Sequence, residues 1–187
     1  MSNILIVSGH PDLDTESFSN KYIMQQLGNR LPQGSIHYLH QAHKNYEFDI
    51  AAEQERLKKV DVIVLQFPMY WYGLPALMKK WLDDVFAHGF AYGSTGSHLQ
   101  GKKLILSFTS GGPEEDYRYD GEQGYPVNDF LPPFKSLAMY CEMTWGGYVY
   151  SGGLLYLPNL SETTKSEMQE VVENHIKRLL NQLNNKE

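Results

Sequence analysis

Three short segments hold most of the side chains capable of chemistry. The first, Gln66-Phe-Pro-Met-Tyr-Trp-Tyr-Gly-Leu-Pro75, places three adjacent aromatic rings between Pro68 and Pro75, directly after the apolar run Val62-Ile-Val-Leu65. A loop that exposes a methionine and three rings at a strand end calls for something flat and apolar to cover them. The second, Ser8-Gly-His-Pro-Asp-Leu-Asp-Thr-Glu-Ser-Phe18, leads into a helix whose unpaired N–H groups can hold a phosphate, with Ser17 adding a hydroxyl and His10 an imidazole donor. It has neither the three glycines of a dinucleotide fingerprint nor the Gly-Lys-Ser of a triphosphate loop, so a monophosphate suits it better. In the third, Thr109-Ser-Gly-Gly-Pro113, adjacent glycines let the backbone approach a ring closely, and their N–H groups can stabilise charge that builds at its polar edge. Taken singly, the three are a packing patch, a capped helix start and a turn. Together they describe a site for an isoalloxazine ring with a monophosphate tail.

The elements that must position these loops follow from apolar periodicity. Short aliphatic runs at 3–8, 35–39, 61–67, 103–109 and about 144–156 alternate with helical patterns at about 17–31, 51–60, 75–88, 128–141 and 162–184. Met168, Val171, Val172, Ile176, Leu179, Leu180 and Leu183 give the last helix one apolar face, with Thr164 and Glu167 spaced as a capping box. The Asn/Gln-rich end after Leu183 is expected to fray. Five strands with connecting helices predict an α/β, three-layer, flavodoxin-like doubly wound fold with a five-stranded parallel sheet, spanning 1–187 as a single domain. Its ligand would lie beyond the carboxyl ends of the strands, where the three loops emerge.

The formal net charge of −6 and pI near 5.6 argue against general affinity for nucleic acid or anionic lipid. Cys141 is the sole cysteine, which excludes an internal disulfide or a cysteine-pair metal site and points to a reducing compartment. The amino terminus enters an apolar run of only Ile4 to Val7 without a basic flank, so neither a secretory signal nor a membrane span is expected, and the location expected is cytoplasmic. His40 with His43 is read as a solvated loop, His88 and His98 as surface or capping residues, and no metal site is expected.

Phe67-Pro-Met-Tyr-Trp-Tyr-Gly-Leu-Pro75, with Lys79, Trp81, Val85, Phe86 and the sequel Gly89-Phe-Ala-Tyr-Gly93, resembles the flavodoxin-like NAD(P)H:quinone oxidoreductase family, which includes bacterial quinone reductases and the ancillary flavoproteins of potassium efflux systems. Gly9-His10-Pro11, Ser17-Phe18 and Thr109-Ser-Gly-Gly112 recur at the places expected for that family. The resemblance implies that His10, Ser17 and Phe18 contact the flavin phosphate, that Pro68, Met69, Tyr70 and Trp71 contact the ring and ribityl chain, and that Thr109, Ser110, Gly111 and Gly112 contact the ring edge. It implies Tyr117 as the catalytic tyrosine. Mammalian members carry a histidine six residues beyond that tyrosine, where this chain has Gln123, so water or Tyr125 would replace it. They also continue into a carboxy-terminal extension beyond the point where this sequence stops, which makes FMN the expected cofactor and FAD the alternative. The activity implied is ping-pong hydride transfer from NAD(P)H to quinones or similar flat electrophiles. An aromatic loop at a sheet edge leaves a large apolar surface exposed in a monomer, so a homodimer is expected, with a candidate face at Trp81, Phe86, Phe90 and Tyr92. Two other roles stand beside the implied activity. Ala87-His-Gly-Phe-Ala-Tyr-Gly-Ser-Thr-Gly96 resembles the subgroup that contacts a potassium efflux protein, whereas an electron-carrying flavodoxin is disfavoured by the composition of the first loop.

Overall fold

In the computed structural model, which describes residues 2–184, the five apolar runs become parallel strands and the patterned segments between them become helices. The order along the chain is β1 (Ile4–Ser8), α1 (Ser19–Arg30), β2 (Ile36–Tyr38), α2 (Leu39–Ala42), β3 (His43–Lys44), β4 (Glu47–Phe48), α3 (Ile50–Lys58), β5 (Val62–Pro68), α4 (Ala76–Val85), β6 (Lys103–Thr109), α5 (Pro132–Tyr140), β7 (Thr144–Ser151) and α6 (Glu162–Asn184). Five strands form one sheet in the order β2-β1-β5-β6-β7, while β3 and β4 make a separate two-stranded hairpin. The winding direction reverses between β1 and β5, the place where a doubly wound sheet opens a crevice.

Strand alternation divides the core into two. Leu5, Val7, Ile63, Leu65, Phe67, Leu104, Leu106 and Phe108 pack with Leu57 of α3, Leu77, Met78, Trp81 and Val85 of α4, and Ala138 of α5. On the opposite face Ile6, Val62, Val64, Ile105 and Val149 meet Ile23, Met24 and Leu27 of α1 and Met168, Val172, Ile176 and Leu179 of α6. Each large apolar side chain buried this way contributes about 1.5–3 kcal/mol. β7 keeps its phase only through a bulge: Leu104 pairs with Trp145 but Leu106 with Tyr148. Gly147 has φ +85°, and a Cβ on Gly146 would lie 2.6 Å from Lys103 Cγ. That extra residue puts Trp145, Tyr148 and Tyr150 on the α4/α5 side and turns Val149 and Ser151 toward α6.

Several boundaries differ from the sequence pattern for local reasons. The segment 128–141 is not one helix: a 3-10 turn at Val127–Phe130 precedes α5, because Pro132 and Pro133 lack N–H groups and fit only the first turn of a new helix. β7 ends at Ser151 rather than near 156, as Gly152 and Gly153 turn the chain out of the sheet. The hairpin β3–β4 was not apparent from pattern; Asn45 and Tyr46 close it at φ +54° and +62°. The cap of α6 lies one turn earlier than Thr164 and Glu167 suggest, since Thr164 N–H donates to Ser161 Oγ at 3.0 Å. Of the end expected to fray after Leu183, Asn184 still belongs to α6, and 185–187 lie outside the described residues.

Candidate functional site

β1, β5 and β6 end level with one another, Ser8 beside Gln66 and Pro68 beside Thr109, so their loops leave the sheet side by side. Gly9 N–H donates to Gln66 C=O at 2.8 Å and Met69 N–H to Thr109 C=O at 2.7 Å, which ties each loop to its neighbour. Gly9 also leaves no room for a side chain, because a Cβ there would lie 2.8 Å from Met78 Cβ, an atom fixed to the α4 backbone. Between the loops lies a cleft of about 150 Å³ lined by Ser17 to Asn20, Pro68 to Tyr70, Thr109 to Gly111 and Leu154 to Tyr156.

One end of the cleft is the amino terminus of α1. Phe18 supplies no side-chain cap, and the first intrahelical bond is Tyr22 N–H to Phe18 C=O at 3.0 Å. The N–H groups of Phe18, Ser19 and Asn20 precede that bond and are oriented toward an acceptor beyond the helix. Ser17 Oγ accepts from Lys21 N–H at 3.2 Å, which leaves its own proton to donate. Ser19 is 3% exposed, yet its hydroxyl finds no protein partner. A buried hydroxyl is rarely left unpaired, so this orphan is evidence for an acceptor-rich ligand group. His10 stands behind them, 3% exposed, with its ring edge-on to Tyr70 at 6.4 Å. Burial lowers its pKa to about 4. Asp12 N–H donates to its Nδ1 at 3.1 Å, so the neutral ring carries its proton on Nε2 as a donor.

The other end is apolar on one side and built from peptide groups on the other. Pro68, Met69 and Tyr70 form one wall. Opposite them, Ser110 Oγ donates to Gly112 C=O at 2.8 Å and receives the Tyr150 hydroxyl at 2.7 Å. Burial raises the Tyr150 pKa, so that phenol stays a donor. Tyr117 closes the space over Gly112, its Cε2 lying 3.5 Å from where a Cβ would be, and Gln123 Nε2 lies 3.4 Å from the same point. The position that departs from the histidine pattern is thus adjacent to Tyr117, and it accepts from Tyr72 OH at 3.3 Å. Tyr117 is held edge-on by Tyr150 and Phe130 at 5.6 and 6.3 Å.

Trp71 does not line this cleft. Tyr70 and Gly73 exchange backbone bonds of 3.1 and 3.0 Å, forcing Trp71 and Tyr72 into a tight turn at φ +47° and +64° that holds the indole 95% exposed. Tyr72 stacks instead on Phe130, 5.1 Å between centroids. His88 and His98 are exposed and pack on Tyr92 and Phe90, away from the cleft, as their sequence context suggests. His40 is not a freely solvated loop residue: it sits on α2 with Nε2 3.5 Å from Asp14 Oδ2. Among the described residues no group of three His, Cys, Asp or Glu is arranged to hold a metal. Nor is any helix among them long and apolar enough to cross a membrane.

The wall made by Leu154, Leu155 and Tyr156 has no motif in the sequence. It exists because the chain leaving β7 folds back: Gly153 N–H donates to Gly112 C=O at 2.8 Å, Leu154 N–H to Ser110 C=O at 2.9 Å, and Tyr156 OH to Thr15 C=O at 2.9 Å. The one signal for it was Gly152-Gly153 immediately after a strand. The proposed dimer face is likewise corrected, because Trp81, Phe86 and Phe90 are 0%, 6% and 4% exposed and belong to the core of the monomer.

With this geometry in hand, comparison with known proteins gives a consistent result. Residues 2–179 match the model of the family described as having a flavodoxin-like fold. The uncharacterized NAD(P)H oxidoreductase YrkL of Bacillus subtilis (strain 168) is 38% identical over 172 residues, covering 90% of this chain and 95% of that protein. General stress protein 14 of Treponema denticola, solved in complex with FMN, superposes with a TM-score of 0.80 at 31% identity, covering 96% of this chain and 99% of that one. An NADPH-quinone reductase from P. pentosaceus shares the fold, with a TM-score of 0.72 at 22% identity and coverage of 95% and 97%. Loops leaving level strand ends over an open helix terminus are thus the local form of a shared architecture, and the chain belongs to the family of flavodoxin-like fold.

Proposed function

We propose that the protein is a flavin-dependent NAD(P)H:quinone oxidoreductase, a single flavin-binding domain over 1–187 that holds FMN in the cleft and works in the cytoplasm. The observation that carries this reading is the orphaned Ser19 hydroxyl beside the open amino terminus of α1, beneath a wall of proline, methionine and tyrosine. Donors without partners fit a phosphate at one end, and apolar and peptide surfaces fit a flat ring at the other. YrkL and the FMN complex of general stress protein 14 support the same assignment.

When bound, FMN supplies the hydride chemistry, accepting from NAD(P)H and passing the pair on to a quinone or similar flat acceptor. The residues of this chain do the rest. Ser17, Phe18 and His10 bind the phosphate with N–H and O–H donors. Pro68, Met69 and Tyr70 cover one side of the ring and exclude water, while Thr109, Ser110, Gly111 and Gly112 present donors to its edge. Tyr117 lies where a substrate ring would stack, with its hydroxyl available to stabilise charge. Because one small opening serves both substrates, they react in turn. Trp71, exposed at the mouth, caps this opening from a second copy of the chain. That copy is expected to dock on the aromatic line Tyr72, Phe130, Tyr125 and Tyr119, whose successive centroids are 5.1, 6.4 and 6.2 Å apart. The transporter-regulator role is not favoured, since YrkL, 38% identical, is described as an NAD(P)H oxidoreductase.

The test is an absorbance spectrum of the purified protein, identification of the released cofactor by mass, and initial rates with NADH or NADPH against a quinone. A yellow protein releasing FMN, with parallel double-reciprocal lines, is expected. A colourless protein that takes up no flavin overturns the reading.

A further inference from the structure

Polar side chains buried on the α1/α6 face of the sheet form one continuous chain that ends at the cleft. Arg178 Nη2 donates to Ser151 Oγ at 2.7 Å, and Ser151 Oγ lies 3.0 Å from His175 Nδ1. His175 Nε2 lies 2.8 Å from Ser107 Oγ, which bonds Gln66 Oε1. Gln66 Nε2 donates to Asn20 Oδ1 at 2.9 Å, and Asn20 Nδ2 donates to Thr109 Oγ1 at 3.0 Å. Every member between Arg178 and the cleft is buried, and His175 is fully enclosed. Nothing in the cleft assignment needs residues this deep, and a row of polar groups in a core is unfavourable unless every bond is made.

The direction of the chain is set from its inner end. Gln66 Oε1 can only accept, so it takes the one Ser107 proton and the Ser107 oxygen receives His175 Nε2–H; at the outer end the Ser151 oxygen accepts from Arg178 and its proton goes to His175 Nδ1. The imidazole therefore keeps its own proton on Nε2. Each amide then offers its NH₂ forward. Thr109 Oγ1 is an acceptor at this last link, so its own proton is left for an acceptor in the cleft that Thr109 lines. Burial, reinforced by Arg178, lowers the His175 pKa to about 3, which keeps the ring neutral as this arrangement requires. The two amides cannot swap donor and acceptor as hydroxyls do, so the chain has a fixed polarity and does not act as a proton shuttle.

We propose that Arg178, by polarising this one-way chain through His175, strengthens the Thr109 hydroxyl as a hydrogen-bond donor to the bound flavin and so makes the flavin easier to reduce. The inference rests on the cleft being a flavin site. A donor aligned by a cation at the far end of the chain favours the more electron-rich, reduced ring. Arg178 and His175 are positioning residues, since neither lines the cleft.

Two measurements test this. In protein labelled with ¹⁵N-histidine, His175 is expected to be a single neutral Nε2–H tautomer at pH 7, flavin or no flavin. Gln66 Oε1 holds that tautomer from the inner end of the chain, so the single Nε2–H form is expected to persist in Arg178→Met and in Arg178→Lys. In the FMN-loaded protein, Arg178→Met is expected to shift the oxidised-to-reduced equilibrium about threefold toward oxidised, a midpoint lower by roughly 15 mV at about 30 mV per tenfold for a two-electron couple. Arg178→Lys should leave the midpoint near wild type. A purely structural role would lower the melting temperature of Arg178→Met without moving the potential, and that outcome overturns the proposal. So does an Nδ1–H tautomer in the wild type. Failure of the wild type to retain FMN refutes the flavin reading instead, and leaves the polarity of the chain to be judged by the tautomer alone.

Discussion

A phenol stabilises forming charge only within its reach, and Tyr117 is fixed over Gly112 by two edge-on rings rather than free to swing. Tyr117→Phe keeps that packing and removes the hydroxyl, so it separates electrostatics from stacking. Flavin reduction by NAD(P)H, followed by stopped flow, should slow about ten-fold, roughly 1.4 kcal/mol of barrier, with flavin content unchanged. A wild-type rate would confine Tyr117 to a stacking role. At the opposite end of the cleft, Ser17 keeps a free proton because its oxygen is occupied by Lys21 N–H. Ser17→Asp would set a carboxylate against a phosphate at about 4 Å, a repulsion of roughly 1–4 kcal/mol depending on screening. The FMN dissociation constant should rise at least several-fold, and unchanged retention on dialysis would move the phosphate elsewhere.

Among the elements, the turn between β5 and α4 stores strain where the molecule meets its surroundings. Trp71 and Tyr72 both adopt the left-handed conformation, which costs large side chains about 1–2 kcal/mol per residue. Tyr72 is compensated by stacking on Phe130, whereas the indole of Trp71 points into solvent. Trp71→Asn, suited to that backbone, should therefore raise stability to urea by about 1 kcal/mol while lowering quinone turnover, if the indole serves the site from a second copy. A loss of stability would mean that the ring packs on something within its own subunit. β7 shows the same coupling of local geometry to site: without the bulge at Gly146-Gly147, Ser151 would face the α4/α5 core rather than His175.

At the scale of the whole molecule, burying neutral histidines makes stability depend on pH. The unfolded chain binds a proton at His175 below about pH 6.5, while the folded chain does not until about pH 3. The unfolded state therefore holds more protons in that window, and stability falls as pH falls. One such histidine removes about 2 kcal/mol between pH 7 and 5, and His10, also lowered by burial, acts in the same direction. Urea midpoints of the flavin-free protein should drop over this range, less so in His175→Gln; a flat profile would show that His175 is protonated in the fold. The sequence by itself determined the parallel sheet, because aliphatic runs and amphipathic helices encode their partners by period alone, and it marked Ser17, Pro68, Met69, Tyr70, Thr109 and Ser110, because level strand ends place consecutive loop residues in one crevice. Only the tertiary structure decided the rest. Trp71 turned outward because two backbone bonds across Tyr70 and Gly73 outweigh the preference of an indole for cover, and Phe86 and Phe90 went into the core. Gln66, Ser107, Ser151 and His175 carry no local signal; strand phase, a bulge and a helix from the far end of the chain bring them together, and no period along the sequence records that meeting.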